Sequence, residues 1–185
     1  MKMKRLLIFL FFLVFCGSSY ANTKVINALR EGGKLIFIRH AYAPGVGDPN
    51  NFDIRDCSTQ RNLNTIGIDQ AKRIGQFFRD NKISIDLVLS SEWCRCKDTA
   101  KSAFKKYTTF NALNSFFSSK FTKNRDKQMN DFKGFVKNWE SKKNIVFVTH
   151  YVVISEILNL SVSSGEIVVV DKDLKILIRQ KTINN

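Results

Sequence analysis

The sequence predicts an α/β fold, a three-layer α/β/α sandwich with a mostly parallel sheet and a C-terminal hairpin. Three observations support this prediction. Apolar runs of strand length alternate along the chain with stretches of helical periodicity, which is typical of a sheet covered by helices on both faces. The 185 residues are 44% hydrophobic and 25% charged, which suits one packed domain and excludes a disordered or collagen-like chain. The last two apolar runs flank residues 171–173, as the strands of a hairpin flank their turn.

The chain begins with a segment typical of a secretory signal. Three basic residues at its start precede an apolar stretch over residues 6–15, and Ser19-Tyr20-Ala21 supplies the small residues of a cleavage site. A membrane-spanning helix needs roughly 20 apolar residues, so this stretch is too short to cross a bilayer. We therefore expect a signal peptide over residues 1–21, cleaved after Ala21, a mature domain over residues 22–185, and a periplasmic or secreted location without a stable membrane span.

The first elements of the mature chain are a short helix, a buried strand and a loop. Apolar residues with helical spacing over residues 25–29 precede Gly32-Gly33, a glycine pair that ends the helix. Residues 34–39 form a near-continuous apolar run, which is typical of a strand buried on both faces. Residues 43–51 are rich in glycine, proline and asparagine, so we expect a loop that starts shortly after His40.

The rest of the chain continues the alternation. Amphipathic helical patterns and strand-like runs follow one another without a repeat or a linker, so we expect a single domain. The predicted helices cover residues 65–80, 92–107, 128–141 and 152–160, and the predicted strands cover residues 85–90, 144–149, 166–170 and 174–179.

Three cysteines remain after the signal segment, and an exported protein meets an environment that allows disulfides. Because three is odd, we expect one bridge and one buried thiol. On a helix, Cys94 and Cys96 point about 200° apart, which disfavours a bridge between them. Cys57 then pairs with one of these two, and Cys57 to Cys94 is the preferred pairing. A zinc site built from the cysteines and a histidine is a weaker alternative, because the chain has no CxxC pair.

Chemically active side chains follow three of the predicted strands. Arg39-His40, Ser90-Ser91 and Thr149-His150 stand at the carboxyl ends, where parallel sheets bind their ligands. A guanidinium group offers a planar fork of donors to phosphate oxygens, and a neutral imidazole can act as a nucleophile. Together with Arg95, these residues predict a phosphoryl-transfer site that needs no metal ion and no cofactor.

Four motifs carry a family resemblance. They are Arg39-His40-Ala41 after a strand, Gln60-Arg-Asn-Leu-Asn-Thr-Ile-Gly67 with Gln70-Ala71, Ser90-Ser-Glu-Trp-Cys-Arg95 with Thr99-Ala100, and Val148-Thr-His150. In this order, and over about residues 34–170, they resemble the histidine phosphatase superfamily, also called phosphoglycerate mutase-like. The resemblance implies that His40 is the nucleophile that becomes phosphorylated. It also implies that Arg39, Arg95 and His150 hold the phosphoryl oxygens and that water hydrolyses the phosphohistidine.

The proton donor of such a reaction is not evident from the sequence. Many members of this family supply a carboxylate that protonates an alcohol leaving group. The candidates in this chain are Glu92, Asp126 and Glu166, and none of them stands in a distinctive motif. Members that act on phosphohistidine do without a strong acid, because protonated imidazole is already a good leaving group. The sequence therefore leaves the donor open, including the alternative that there is none.

The leading functional interpretation is an exported phosphatase acting on a phosphomonoester. A formal charge of +14 favours an anionic partner. The combination of a signal segment with Arg-His-Ala is similar to that of envelope phosphatases that act on lipopolysaccharide heptose phosphate, and phosphohistidine is a further candidate substrate. A non-catalytic phosphate-binding module of the same fold is the alternative class. Nucleic-acid binding rests on charge alone, without a recognisable motif.

Overall fold

The computed structural model of this chain describes residues 16–181, so most of the predicted signal peptide, residues 1–15, lies outside the described residues. Helices and strands alternate along the described part, as the sequence predicts. The helices are α1 (Cys16–Glu31), α2 (Thr65–Asp80), α3 (Cys94–Phe104), α4 (Ser119–Thr122), α5 (Arg125–Lys137) and α6 (Tyr151–Leu158). The strands are β1 (Leu35–Arg39), β2 (Ile85–Ser90), β3 (Thr108–Thr109), β4 (Asn144–Thr149), β5 (Ile167–Val170) and β6 (Ile176–Gln180).

The strands form one sheet in the order β3-β2-β4-β1-β5-β6. β1 and β2 both pair with β4 in parallel, and β3 extends this parallel part beside β2. β5 pairs antiparallel with β1 and continues through a turn into β6. The predicted mostly parallel sheet with a C-terminal hairpin is therefore confirmed.

Helices cover both faces of the sheet, which confirms the predicted three layers. Alternate residues of β1 point to opposite faces, because side chains alternate along a strand. Ile36 and Ile38 pack in a cluster with residues of α1, α2 and α3. Leu35 and Phe37 pack in a second cluster with residues of α5 and α6. All four side chains are fully buried, as the near-continuous apolar run of this strand predicts.

Most element boundaries agree with the sequence prediction, and the differences have local causes. Residues 65–80, 85–90 and 144–149 form their elements over the predicted range. α3 is shorter than predicted. It starts only at Cys94 because Trp93 has an extended backbone, and it ends before Lys105, which has a positive φ of 66°. The sequence prediction missed β3 and α4, since two to four residues are too few to show a period.

Helices α2 and α3 approach each other closely at a glycine. A Cβ atom added at Gly75 of α2 would lie 2.1 Å from the backbone carbonyl oxygen of Ala103 in α3. Glycine is required here because the obstacle is backbone, which cannot rotate away as a flexible side chain can. This contact fixes the position of α3, and α3 carries Arg95 in its first turn.

We predict that Gly75→Ala destabilises the protein, whereas Gly134→Ala does not. Overpacking of this kind costs about 1–3 kcal/mol. Gly134 lies in helix α5 with nothing within 4 Å of an added Cβ. Alanine there gains up to about 1 kcal/mol of helix propensity. Urea unfolding of both variants measures the difference. Equal free energies of unfolding for the two variants would show that α2 and α3 are not in contact at Gly75.

Candidate active site

Strand pairing places the two histidines side by side. Arg39, the last residue of β1, lies opposite Thr149, the last residue of β4. The next residue of each strand is a histidine, and the His40 N–H donates to the Thr149 carbonyl at 2.9 Å. The ring centroids of His40 and His150 are 5.5 Å apart. The predicted convergence of residues about 110 positions apart in sequence is therefore confirmed.

Buried polar side chains hold the backbone that follows His40. The Ala41 N–H donates to the Thr99 hydroxyl at 2.9 Å, and the Tyr42 N–H donates to the Gln70 side-chain carbonyl at 2.8 Å. Thr99 and Gln70 are buried and come from α3 and α2. A buried N–H without such an acceptor costs free energy, so these two side chains stabilise the turn that leaves the strand at His40.

The hydrogen bonding of His40 determines which ring nitrogen is available for reaction. The Nδ1 atom lies 2.8 Å from the Ala41 carbonyl oxygen, which can only accept, so Nδ1 carries the proton. The lone pair of the neutral ring is then on Nε2. Burial, together with the charges of Arg95 and Arg39, lowers the pKa of His40 well below 6.5. His40 is therefore neutral near pH 7 and has a nucleophilic nitrogen.

His150 is oriented by a chain of hydrogen bonds. Its Nε2 atom lies 2.9 Å from the Ser91 hydroxyl, which donates to the Asn114 side-chain carbonyl at 3.1 Å. The Trp93 ring packs edge-on against the imidazole, with centroids 5.3 Å apart. Burial, followed by the charge of Arg95, lowers the pKa of His150 well below 6.5. The ring is thus held in one orientation and is neutral near pH 7.

Three guanidinium groups stand around the two imidazoles. The Arg39 Nη1 donates to the Val162 carbonyl at 2.8 Å. Arg61 donates through Nε to the Gly47 carbonyl at 2.7 Å and through Nη1 to the Ala43 carbonyl at 2.5 Å. Burial lowers the pKa values of Arg39 and Arg61, but arginine stays charged in proteins. Within the described chain, the Nε atoms of Arg39 and Arg95 are buried and have no hydrogen-bond partner.

A carboxylate faces Arg95. The two oxygens of Asp48 accept from Nη1 and Nη2 of Arg95 at 2.6 Å and 3.1 Å. The same oxygens accept from the Arg61 backbone N–H and from the Trp93 Nε1, both at 3.1 Å. Burial raises the pKa of Asp48, but the hydrogen bond and charge of Arg95 outweigh it, so the pKa lies below its ordinary value. In this structure Asp48 is therefore ionised.

These groups line one cavity of about 400 Å³ at the carboxyl ends of the parallel strands, which we call the cup. Arg39, His40, Arg61, Arg95 and His150 all belong to its lining. Aromatic residues make up much of the remaining wall, and of these Phe117 is 58% exposed and Tyr151 is 39% exposed. The lining thus combines a cationic patch with the two imidazoles and an apolar rim.

A disulfide secures the cup from one side. It joins Cys57, in a short 3₁₀ turn, to Cys94, the first residue of α3, and this confirms the predicted pairing. The Gln60 side chain accepts from the Cys94 N–H at 2.9 Å, so the segment before Arg61 is fastened to the start of α3. Cys96 is a free buried thiol, as predicted, and burial raises its pKa to about 12. The bridge leaves neither Cys57 nor Cys94 available as a zinc ligand.

The three acids considered from the sequence do not line the cup. The Glu92 carboxylate accepts from the Asn114 side-chain amide at 2.5 Å and faces a neighbouring pocket. Glu166 is fully buried and forms an ion pair with Arg179 at 2.7 Å. Asp126 lies in the first turn of α5. Glu92, Asp126 and Glu166 therefore lie outside the site.

Sequence reasoning missed two residues of the cup, Arg61 and Asp48. Arg61 stands within the second motif, beside Gln60, but no strand end marks it as a site residue. Asp48 lies in the loop after His40, where an acid among glycines and prolines reads as an ordinary turn former. Only the contacts of these two side chains show that they face the cup.

Within residues 16–181, no group of three or more His, Cys, Asp or Glu side chains is arranged to hold a metal ion. In the same part of the chain, no helix has the length and apolar character that crossing a membrane requires.

Comparison with known proteins relates this geometry to one family. Residues 35–114 match the family model described as histidine phosphatase superfamily (branch 1). No curated protein matches the chain. The structure of the protein histidine phosphatase SixA complexed with tungstate is similar with a TM-score of 0.57 and 12% identity, covering 80% of this chain and 97% of that one. The putative phosphohistidine phosphatase SixA from Agrobacterium tumefaciens has a TM-score of 0.57 and 18% identity, covering 80% and 98%. Phosphoglycerate mutase from Thermus thermophilus has a TM-score of 0.56 and 16% identity, covering 80% and 98%.

We predict that both imidazoles titrate below pH 6.5 in the folded protein, because buried rings among guanidinium ions resist protonation. The chain has only two histidines, so two-dimensional NMR of the ring Cε1–H groups gives two signals, and His150→Ala assigns them. The urea-unfolded chain is the control, in which both rings titrate near 6.5. A midpoint at or above 6.5 for either ring in the folded protein contradicts the prediction.

Proposed function

We propose that the protein is an exported, metal-independent phosphatase acting on a phosphomonoester through a phosphohistidine, and the match of residues 35–114 to the histidine phosphatase superfamily model supports this proposal. The observation that carries the proposal is the environment of His40. Its Nε2 lone pair belongs to a neutral imidazole that lines a cup with three guanidinium groups. A nucleophile without charge, placed among cations, suits attack on an anionic phosphoryl group.

Binding of the phosphoryl group relies on charge. Arg39, Arg61 and Arg95 supply planar donors to its oxygens, and two of their buried Nε–H groups lack a partner in the described chain. Two helix N-termini add to the positive potential, because Arg95 lies in the first turn of α3 and His150 caps α6. The exposed aromatic rim contacts the rest of the substrate.

Reaction proceeds in two phosphoryl transfers. In the first, the Nε2 lone pair of His40 forms a bond to phosphorus, the bond from phosphorus to the leaving oxygen breaks, and the leaving oxygen takes up one proton to become the alcohol. In the second, water attacks phosphorus and gives up one proton, which replaces the proton taken by the alcohol, and the electron pair of the phosphorus–nitrogen bond returns to Nε2. The guanidinium groups hold the equatorial oxygens through both steps and stabilise the charge that develops there.

The first test is hydrolysis of p-nitrophenyl phosphate in the presence of EDTA. We expect turnover by the mature protein and a loss of at least about 10³-fold in kcat for His40→Ala, because removal of a nucleophile costs this much or more. Rapid acid-free quenching with ³²P-labelled substrate is expected to leave acid-labile label on the protein and none on the variant.

A binding function gives a different result. A non-catalytic phosphate-binding module binds inorganic phosphate in calorimetry, with no turnover by either protein and no label, and this outcome would overturn the proposed enzyme. Thermal unfolding of His40→Ala controls for loss of the fold. Activity that EDTA abolishes and added divalent metal restores would contradict the metal-independent mechanism.

We further propose that the protein is exported and that its signal segment is cleaved after Ala21. The Cys57–Cys94 disulfide supports this, because such bridges persist in oxidising compartments. Intact-mass spectrometry of protein purified from the periplasmic or secreted fraction is expected to show the loss of residues 1–21. A full-length mass, or recovery from the cytoplasm alone, would contradict export. Cys57→Ser is a matched control, because it removes the bridge and keeps the signal segment.

A further inference from the structure

We propose that Asp48 is the proton donor to the leaving group, an inference that rests on the proposed phosphatase function. Among the residues that line the cup in the described chain, Asp48 is the single carboxylic acid. It lies in the loop that leaves β1, a few residues after the nucleophile His40, and it contacts a guanidinium group that is placed to hold the phosphoryl group.

The Asp48 carboxylate accepts hydrogen bonds from one charged group and from two neutral groups. Each carboxylate oxygen has one bond to Arg95 and one bond to a neutral donor, which is the Arg61 backbone N–H for Oδ1 and the Trp93 Nε1–H for Oδ2. The neutral donors belong to buried or disulfide-anchored segments, since Trp93 is 2% exposed and precedes Cys94. The carboxyl group is therefore fixed in place even without its ion pair to Arg95.

Substrate binding changes the charge around this carboxyl group. A guanidinium group has five N–H donors, and the Nε–H of Arg95 has no partner in the described chain, so a phosphoryl group can bind Arg95 while Asp48 keeps its place on Nη1 and Nη2. Asp48 then shares its cation with an anionic neighbour, which raises the pKa of the carboxyl group. As the substrate binds, the carboxyl group takes up one proton from solvent.

The proton balance over one turnover closes on Asp48. As Nε2 of His40 bonds to phosphorus, the leaving oxygen takes the bonding electron pair and receives the proton of the Asp48 carboxyl group, which gives the free alcohol and a carboxylate. Water then attacks the phosphohistidine and gives one proton to the Asp48 carboxylate, and the phosphorus–nitrogen electron pair returns to Nε2. The products are alcohol and phosphate, and Asp48 is again protonated.

The experiment compares leaving groups of similar shape and different basicity. The substrates are p-nitrophenyl, phenyl and benzyl phosphate, whose leaving groups range from weakly to strongly basic. We measure kcat/KM, which covers the steps up to formation of the phosphohistidine. If Asp48 protonates the leaving oxygen, the wild-type kcat/KM depends little on leaving-group basicity. For Asp48→Asn we expect the ratio of p-nitrophenyl to benzyl phosphate to rise by about 10²-fold or more, the size of a general-acid contribution.

Controls and contrary outcomes keep the two proposals separate. Asp126→Asn makes the same chemical change outside the cup, and we expect it to keep the wild-type ratio. An equal loss of kcat/KM for all three substrates in Asp48→Asn would overturn the donor role. It would show that Asp48 only positions Arg95. A steep dependence on leaving-group basicity in the wild-type protein would overturn it without any variant. Absence of turnover of all three substrates by the wild-type protein would instead show that the proposed phosphatase function itself is wrong.

Discussion

The parallel pairing of β1 with β4 is the constraint on which the rest of the site depends. Both strands are buried on both faces, so a shift of one residue would move each side chain into the opposite cluster, where its size does not match the packing. The core therefore fixes the register, and the register places Arg39 opposite Thr149. Because adjacent strands lie about 4.8 Å apart, the histidines that follow are neighbours. Packing of the core thus sets the distance between the two chemically active rings.

Electrostatics explains why these rings can work as neutral groups. Three guanidinium groups share a small volume with the imidazoles, and burial weakens the screening that water provides. Cations in such a place stay charged, whereas imidazoles lose their proton, because their ordinary pKa lies close to neutrality. A carboxylate on Arg95 offsets part of the positive charge in this structure. The cup therefore keeps a positive charge, because one carboxylate does not balance three guanidinium groups.

Rigidity of the cup comes from polar groups as much as from apolar packing. The loop after β1 is rich in turn formers, but its first backbone N–H groups are bound by side chains from α3 and α2. The disulfide fastens the segment of Arg61 to the helix that carries Arg95. Close backbone contact at Gly75 joins α2 to α3. Each support acts on backbone rather than on a reacting group, so the reacting side chains are positioned by several independent contacts.

The sequence alone predicted the sandwich, the order of its longer elements and the meeting of His40 with His150, because apolar periodicity and strand ends are local patterns. It favoured the Cys57–Cys94 bridge, which the structure confirms. It could not identify which acid faces the cup. Glu92, Asp126 and Glu166 were plausible by position, yet their carboxylates lie outside it. Asp48 and Arg61 reach the cup through loops, whose paths have no periodic signal and are fixed only by contacts between distant segments. Contacts between segments distant in sequence therefore place Asp48, and not the other three acids, in the cup.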